Sequence, residues 1–474
     1  MKRIITLLLA MVMAFSLCAC GGSGDGQQGN TGAPEGLQVG YAKVSITPAY
    51  VVGLGGYSDA ETRASEGFVD YIYTTCIAVT DREETLLIYT IDNVSLPDTI
   101  QENIRDRVSE ATGITPEKIF CGATHGHNCP GLVSGNYESA GRYKTDFYTA
   151  AVEAAQKALD DRSAATLSSA KMSHEKMNAV RHYILADGTY ADNSNAGKAG
   201  VQNLVGHPME TDPEMILLKF DRVDEAKKDI LMVNWQAHPD DAKEIGYNLI
   251  SPGFIGPLRN KLEKDSGMYV AYFTGASGNQ VPQSRIPSEN REKYSYSEYG
   301  EALADCAFSM IGKLEPVEGT AIKSARYTMA VDVDHSWDYM LSQANEVFDL
   351  WKATNKETGD ALAKTYGLSS SYQARAIRTR AAMGKTINME MGVFSIGDIG
   401  FTTGTYEMFS TNAMFVKENS PFETTFVITG NSSYVASDIA FTYRCYESDT
   451  GYYARGTGEQ LADQYVKMLN QIKQ

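Results

Sequence analysis

Two segments, VDYIYTTCIAVTD (69–81) and ETLLIYTIDNVSL (84–96), restrict the folds open to this 474-residue chain more than any others. Both are rich in β-branched and aromatic residues, and only Arg82-Glu83 separate them, so they read as an antiparallel hairpin. A different rhythm follows. Thr99 to Thr112 reads as a helix, opened by Pro97-Asp98 and stopped at Gly113. KIFCGATH (118–125) reads as a short buried strand, and Asp146 to Asp160 as an alanine-rich amphipathic helix. Strands are expected in EMILLKFDRV (214–223), DILMVNWQAH (229–238), MYVAYFTGASGN (268–279), INMEMGVFSIGDIGFTTG (387–404) and FETTFVITG (422–430). Helices are expected at Gly256–Lys264, Ser297–Ile311, within 340–382, near 405–417 and at Glu459–Ile472. Strands alternating with helices predict an α/β fold, and the early hairpin makes its sheets mixed rather than purely parallel. No proline- or glycine-rich linker divides 37–474, which therefore reads as one large domain.

The first twenty residues are of another kind. Lys2 and Arg3 precede an apolar run from Ile4 to Leu17, too short and wrongly flanked for a membrane-spanning helix, which is the pattern of a secretory signal. Leu17-Cys18-Ala19-Cys20 resembles a bacterial lipoprotein cleavage box, so 1–20 is expected to be a signal peptide and Cys20 the lipidated first residue of the mature chain. The alternative is an ordinary signal with an incidental cysteine. GGSGDGQQGNTGAPEG (21–36) has a tether's composition. The expected location is extracytoplasmic, anchored by lipid to a bacterial cell membrane. Losing Lys2 and Arg3 takes the formal charge from −17 to −19, and a surface so acidic excludes a nucleic-acid partner. Beyond Cys20, Cys76, Cys121, Cys129, Cys306 and Cys445 are odd in number and widely scattered, which is no disulfide framework.

Several strands end in polar residues, where α/β sheets tend to place function. KIFCGATHGH runs into His125 and His127, two of only seven histidines. If the strand persists, alternation points both imidazoles to one side. Two nitrogens suit a borderline metal but are too few for a catalytic site, and taken alone the pair reads first as hydrogen-bonded loop histidines, with metal ligation as the alternative. DILMVNWQAH ends at His238, INMEMGVFSIGDIGFTTG leads to Glu407 at an expected helix start, and FETTFVITG leads to Tyr434. Taken singly, each has a structural reading: a satisfied buried histidine, a carboxylate favoured by a helix dipole, a packed tyrosine.

These residues fall within a longer pattern. GYAKVSITP (40–48), VGLGGYSD (52–59), ATHGHNCPG (123–131), VNWQAHP (233–239), GTYEMF (404–409) and NSSYVASDIAFTYRCYE (431–447) resemble, in order, motifs of the catalytic domain of the neutral, non-lysosomal ceramidase family. The resemblance implies a hydrolase of ceramide or a related N-acyl lipid, with one Zn2+ held by His125, His238, Glu407 and Tyr434. His127 matches a histidine that faces the substrate. Arg181, in NAVRHYILADG, is similar to an arginine that binds the substrate's carbonyl or polar head. Zinc-activated water would attack the amide carbon, with His127 or Arg181 stabilising the oxyanion and His127 protonating the amine.

Two departures qualify this expectation. Where the family has a serine in Gly-Asp-Val-Ser-Pro-Asn, this chain has GNQVPQ (278–283) with Val281, so a covalent serine route is not expected. The chain ends at Gln474, about where the catalytic domain should end, and the family's C-terminal β-sandwich is not expected. Alternatives on the same scaffold are a metal-dependent hydrolase of another ester or glycoconjugate, and a non-catalytic surface binding lipoprotein. The expected partners are a small-molecule or lipid substrate and the membrane.

Overall fold

The computed structural model describes residues 36–57, 62–132, 137–430 and 432–474. The expected signal peptide, Cys20 and almost all of the tether lie outside the described residues. Pro34–Gln474 forms one compact unit.

The apolar runs are continuous because their strands are buried on both faces. In Thr85–Ile91, Leu86 and Ile88 point into one core while Leu87, Tyr89 and Ile91 point into another. Ile230–Trp235 does the same, with Ile230 and Met232 on one side and Leu231, Val233 and Trp235 on the other. These strands belong to a nine-stranded sheet. Its main path runs Tyr269–Thr274, Ile230–Trp235, Glu214–Arg222, Ser163–Ser173, Leu37–Ser45, Tyr73–Thr80, Thr85–Ile91, Ile119–Ala123. The expected hairpin is present, with Thr80 opposite Thr85 and Asp81 Oδ1 accepting from the Glu83 and Glu84 amides. The sheet is mixed: Thr85–Ile91 with Ile119–Ala123, and Ile230–Trp235 with Tyr269–Thr274, are its parallel pairs.

A second, four-stranded sheet has the order Ile322–Asp332, Thr386–Ile396, Ile399–Gly404, Thr424–Thr429. Phe394, Phe401 and Phe426 from this sheet meet Phe120, Phe220 and Phe273 from the larger one in a shared core. Helices cover the outer faces. Asp98–Thr112 and Ala140–Asp160 lie over one part of the large sheet, and Ile255–Ser266 and Tyr296–Ile311 over another. Ser410–Asn419 and Thr457–Lys473 lie over the small sheet. The architecture is therefore two packed mixed sheets between helical layers, an α/β fold. The expected helix-rich stretch forms three helices, Leu341–Ala353, Lys356–Thr365 and Ser371–Ala381.

Helix ends follow local chemistry. Asp98–Thr112 stops where Gly113 turns left-handed at φ 76°, a conformation glycine adopts without the Cβ penalty. Tyr296–Ile311 opens on a capping box between Ser295 and Glu298. The five cysteines beyond Cys20 are all free, and no helix among the described residues is long and apolar enough to cross a membrane.

Candidate active site

Three strand ends and one short strand pair converge at one edge of the sheet sandwich. The strand Ile119–Ala123 ends before the histidines, so strand alternation does not bring them together as expected. His125 instead takes a left-handed conformation, φ 68°, and the chain bends there. Its amide donates to Asn93 O at 2.9 Å, and its Nδ1 lies 2.5 Å from Val94 O, both in the loop after Thr85–Ile91. That loop is held by a buried ion pair, Arg259 Nη2 to Asp92 Oδ2 at 2.9 Å. His238, beyond Ile230–Trp235, is fixed by its amide to Gln280 O (2.9 Å) and by Nδ1 near Ser277 O (3.4 Å).

Carbonyl oxygens only accept, so both Nδ1 atoms carry hydrogen, and the Nε2 atoms are the ones left to offer lone pairs to a cation. Those lone pairs face each other. His125 Nε2 lies 3.0 Å from His238 Nε2, and His127 Nε2 lies 3.3 Å and 3.0 Å from the two. Glu407 Oε2 is 3.4 Å from His125 Nε2, is buried, and has no hydrogen-bond partner. Burial first, then the neighbouring His125, holds His127 neutral and pushes its pKa down to about 3; His238 is lowered for the same reasons.

Imidazole Nε2 atoms crowded against one another, beside a buried Glu407 oxygen with no hydrogen-bond partner, are the donor set of a divalent cation. Around a tetrahedral ion with bonds near 2.0–2.1 Å, neighbouring donors stand ~3.3 Å apart, close to the spacing found here. The residues present fit a metal. The resemblance sets His127 outside the ligands, yet the geometry draws no line between it and the other two imidazoles: His125, His127 and His238 form one cluster.

Glu407 does not open a helix, as its sequence context suggested. It lies in a two-residue strand, Glu407–Met408, paired in register with Tyr434–Val435, so that Glu407 stands opposite Tyr434. The helix begins three residues later, at Ser410. Gly278 makes this possible, since a Cβ there would meet the carbonyl oxygens of Glu407 and Met408 at 2.9 Å.

Tyr434 is steadied by Arg181, whose Nη2 lies 3.2 Å from the phenol oxygen. Arg181 also donates to Gly278 O (2.7 Å) and Glu447 Oε1 (2.6 Å). With Nε and Nη2 so engaged, the arginine orients the tyrosine as well as lining the cavity. Glu447 accepts in turn from His182 Nε2 at 2.8 Å, and His182 Nδ1 meets Tyr443 Oη at 2.7 Å. Burial would raise the Glu447 carboxyl, but Arg181 and then His182 overcome it and hold it well below the usual range. His182, Cys445 and Glu447 also cluster closely enough to suggest metal ligands. Both His182 nitrogens are committed to hydrogen bonds, however, and burial keeps the Cys445 thiol protonated, so this is a positioning network.

The glycine-rich segment backs His127: Gly56, at φ 90°, leaves no room for a Cβ against the His127 backbone, and Arg63 Nη1 donates to His127 O at 2.7 Å. Val281 pairs with Ala179 and is buried, a hydrocarbon at the position that the resemblance matches to the family's serine. A cavity of about 430 Å³ opens onto His127, His238, Arg181 and Tyr434. Tyr434, Tyr446 and Tyr372 run along its wall, with ring centroids 5.9 and 5.8 Å apart in succession.

Comparison with solved structures gives this fold a precedent. The fold is that of neutral ceramidase. The neutral ceramidase from Pseudomonas aeruginosa aligns over 93% of this chain and 75% of its own, at a TM-score of 0.67 and 14% identity. A ceramidase complexed with C2 aligns over 93% and 76%, at 0.67 and 15%. At such identities the likeness is one of fold. No family model and no curated protein matches the sequence.

Sequence reasoning missed the supports. Asp92, in the TIDNVS stretch, is a buried ion-pair partner of Arg259 that its local sequence does not signal. His182 and Tyr443 lie 265 and 261 positions from their partners in the chain, and no local spacing signals them.

Proposed function

We propose that this chain is a zinc-dependent hydrolase of an amide bond in a ceramide-like or related N-acyl substrate. The observation that carries the reading is the facing lone pairs of His125 and His238 beside the unpartnered Glu407 carboxylate. His125, His238 and Glu407 would hold the ion, with Tyr434 completing the set by the family resemblance and His127 next to it. Zinc supplies Lewis acidity toward a carbonyl and toward water at neutral pH. The chain's own residues do the rest. Val94 O and Ser277 O fix the ligand tautomers. The Arg181–Glu447–His182 network holds the Tyr434 hydroxyl toward the cavity, and Tyr57, edge-on to His127 at 5.3 Å, closes its near side. Val281 offers no hydroxyl, which favours direct attack by water over an acyl-enzyme. The signal-like N-terminus supports a location outside the cytoplasm, with Cys20 as the lipid anchor.

The test is release of fatty acid from a panel of N-acyl substrates, ceramide first, before and after chelation and zinc restoration. Zinc-restored hydrolysis of an amide supports the reading. Hydrolysis of esters alone, or of nothing, would transfer it to the ester-hydrolase or binding-protein alternative.

A further inference from the structure

The chain is acidic, with 59 Asp and Glu against 42 Lys and Arg, yet the cavity at the histidine cluster reverses that balance. Its walls carry Arg181, Lys243, Arg285 and Arg375 against Asp240 and Glu447. Arg181 and Glu447 pair with each other, which leaves three cations facing one carboxylate.

Those three cations are set apart from their neighbours. On the helix Ser371–Ala381, Arg378 and Arg380 find carboxylates, Asp349 at 4.0 Å and Asp334 at 3.2 Å. Arg375 finds none within ion-pair distance among the described residues, and lies against aromatic rings, Tyr372 at 5.3 Å and Trp351 at 5.9 Å from the centroids. Arg285 has no carboxylate either. Its Nε and Nη2 hold Asn193, at 2.8 Å from Oδ1 and 3.2 Å from the carbonyl oxygen, which fixes the guanidinium at the cavity edge. Lys243, on the short helix Ala242–Ile245, is exposed and likewise has no ion-pair partner among the described residues. Three separate segments thus bring uncompensated positive charge to one cavity. Guanidinium groups held by neighbouring side chains are well suited to carboxylate, sulfonate or phosphate. A neutral N-acyl amino alcohol would leave these three cations with only the Asp240 carboxylate on the cavity wall.

We propose that the substrate of this site carries an anionic group, and that Arg285, Arg375 and Lys243 receive it. The inference rests on the hydrolase reading only in taking the same cavity as the substrate site. Selectivity then lies in the rim, and the metal cluster selects the bond.

The probes are non-cleavable alkylsulfonyl derivatives of glycine, taurine, phosphoethanolamine and ethanolamine, which present a carboxylate, a sulfonate, a phosphate and no charge. Titration calorimetry on the purified chain is expected to show at least one anionic probe binding ~10–100-fold more tightly than the ethanolamine probe. That preference should shrink in high salt. Which anion binds best identifies the substrate's group. In the Arg285→Gln/Arg375→Gln double variant, with unchanged melting, the preference should fall at least ~10-fold, with the ethanolamine probe as reference. If that variant fails to fold, Lys243→Gln on the exposed short helix serves instead, with a partial loss expected. Equal affinities for all four probes, or a preference that survives in the folded variants, would overturn the proposal. Anion preference without turnover of any N-acyl amide would leave this inference standing and remove the hydrolase reading. Turnover of uncharged amides without anion preference would do the reverse.

Discussion

Replacing Glu407 with glutamine separates a metal site from a merely packed cluster, because the two accounts predict opposite signs. Without metal, Glu407 Oε2 is buried with no hydrogen-bond partner, 3.4 Å from His125 Nε2. An unsatisfied buried polar group costs about 1–3 kcal/mol. Glutamine keeps the shape and can donate its amide hydrogen to that nitrogen, so the chelated variant should be more stable than the chelated wild type by about that amount. Unfolding entropy near 2.1 cal/mol/K per residue gives roughly 0.9 kcal/mol per kelvin for a unit of this size, so the gain is about 1–3 °C. With zinc at a thousand times the dissociation constant, the wild type should gain about 4 kcal/mol, or roughly 4–5 °C. A ligand loss that weakens binding at least ~100-fold leaves the variant a gain of about 1.4 kcal/mol or less. Differential scanning calorimetry in chelator and in zinc measures all four states. A variant that is less stable in chelator and keeps the full zinc shift would refute the reasoning.

Three further predictions concern the supports. Asp92→Ala leaves Arg259 buried without its partner and should cost about 3–5 kcal/mol, read as a drop in melting temperature together with weaker zinc binding, because the His125 loop loses its tie. Glu447→Gln removes the charge that holds Arg181 and should lower zinc affinity or kcat ~10–100-fold with little change in KM; a change in KM alone would place Arg181 on the substrate instead of on Tyr434. Asp241 is raised to about 7, by burial first and then by Asp240 and Glu244, so the folded protein keeps a proton that the unfolded chain loses near pH 4. The contribution of this group to stability is therefore full below that pH and is lost as the pH rises through about 7. Asp241→Asn, unfolded by denaturant in chelator, should match the wild type at pH 4 and exceed it by about 1–3 kcal/mol at pH 8; equal stabilities at pH 8 would show that the carboxyl ionises freely.

The strands easiest to read in the sequence are those buried on both faces. LLIY (86–89) is an unbroken apolar run because Leu86 and Ile88 face the second sheet while Leu87 and Tyr89 face helices. Ser163–Ser173 and Ile322–Asp332 were not anticipated. The first is built largely of serine and alanine. The second is an edge strand whose residues are mostly half-buried or exposed, Lys323, Arg326 and Asp332 among them, and neither produces an apolar run. In the site, strand ends pointed to His125 and His238, but the reason the imidazoles meet is a left-handed turn at His125 that no pattern of alternation contains. The setting of Glu407 was misread because a two-residue strand is too short to leave a periodic signature. The basic rim was invisible for a different reason: Lys243, Arg285 and Arg375 come from three distant segments, and only the fold assembles them.

Metal content tests the central claim most directly. The account predicts about one zinc per mature chain by elemental analysis, and a large loss of it in His125→Ala protein that still melts cooperatively. Wild-type protein that holds no zinc and gains none when it is supplied would contradict the account, and would leave the fold without the chemistry assigned to it.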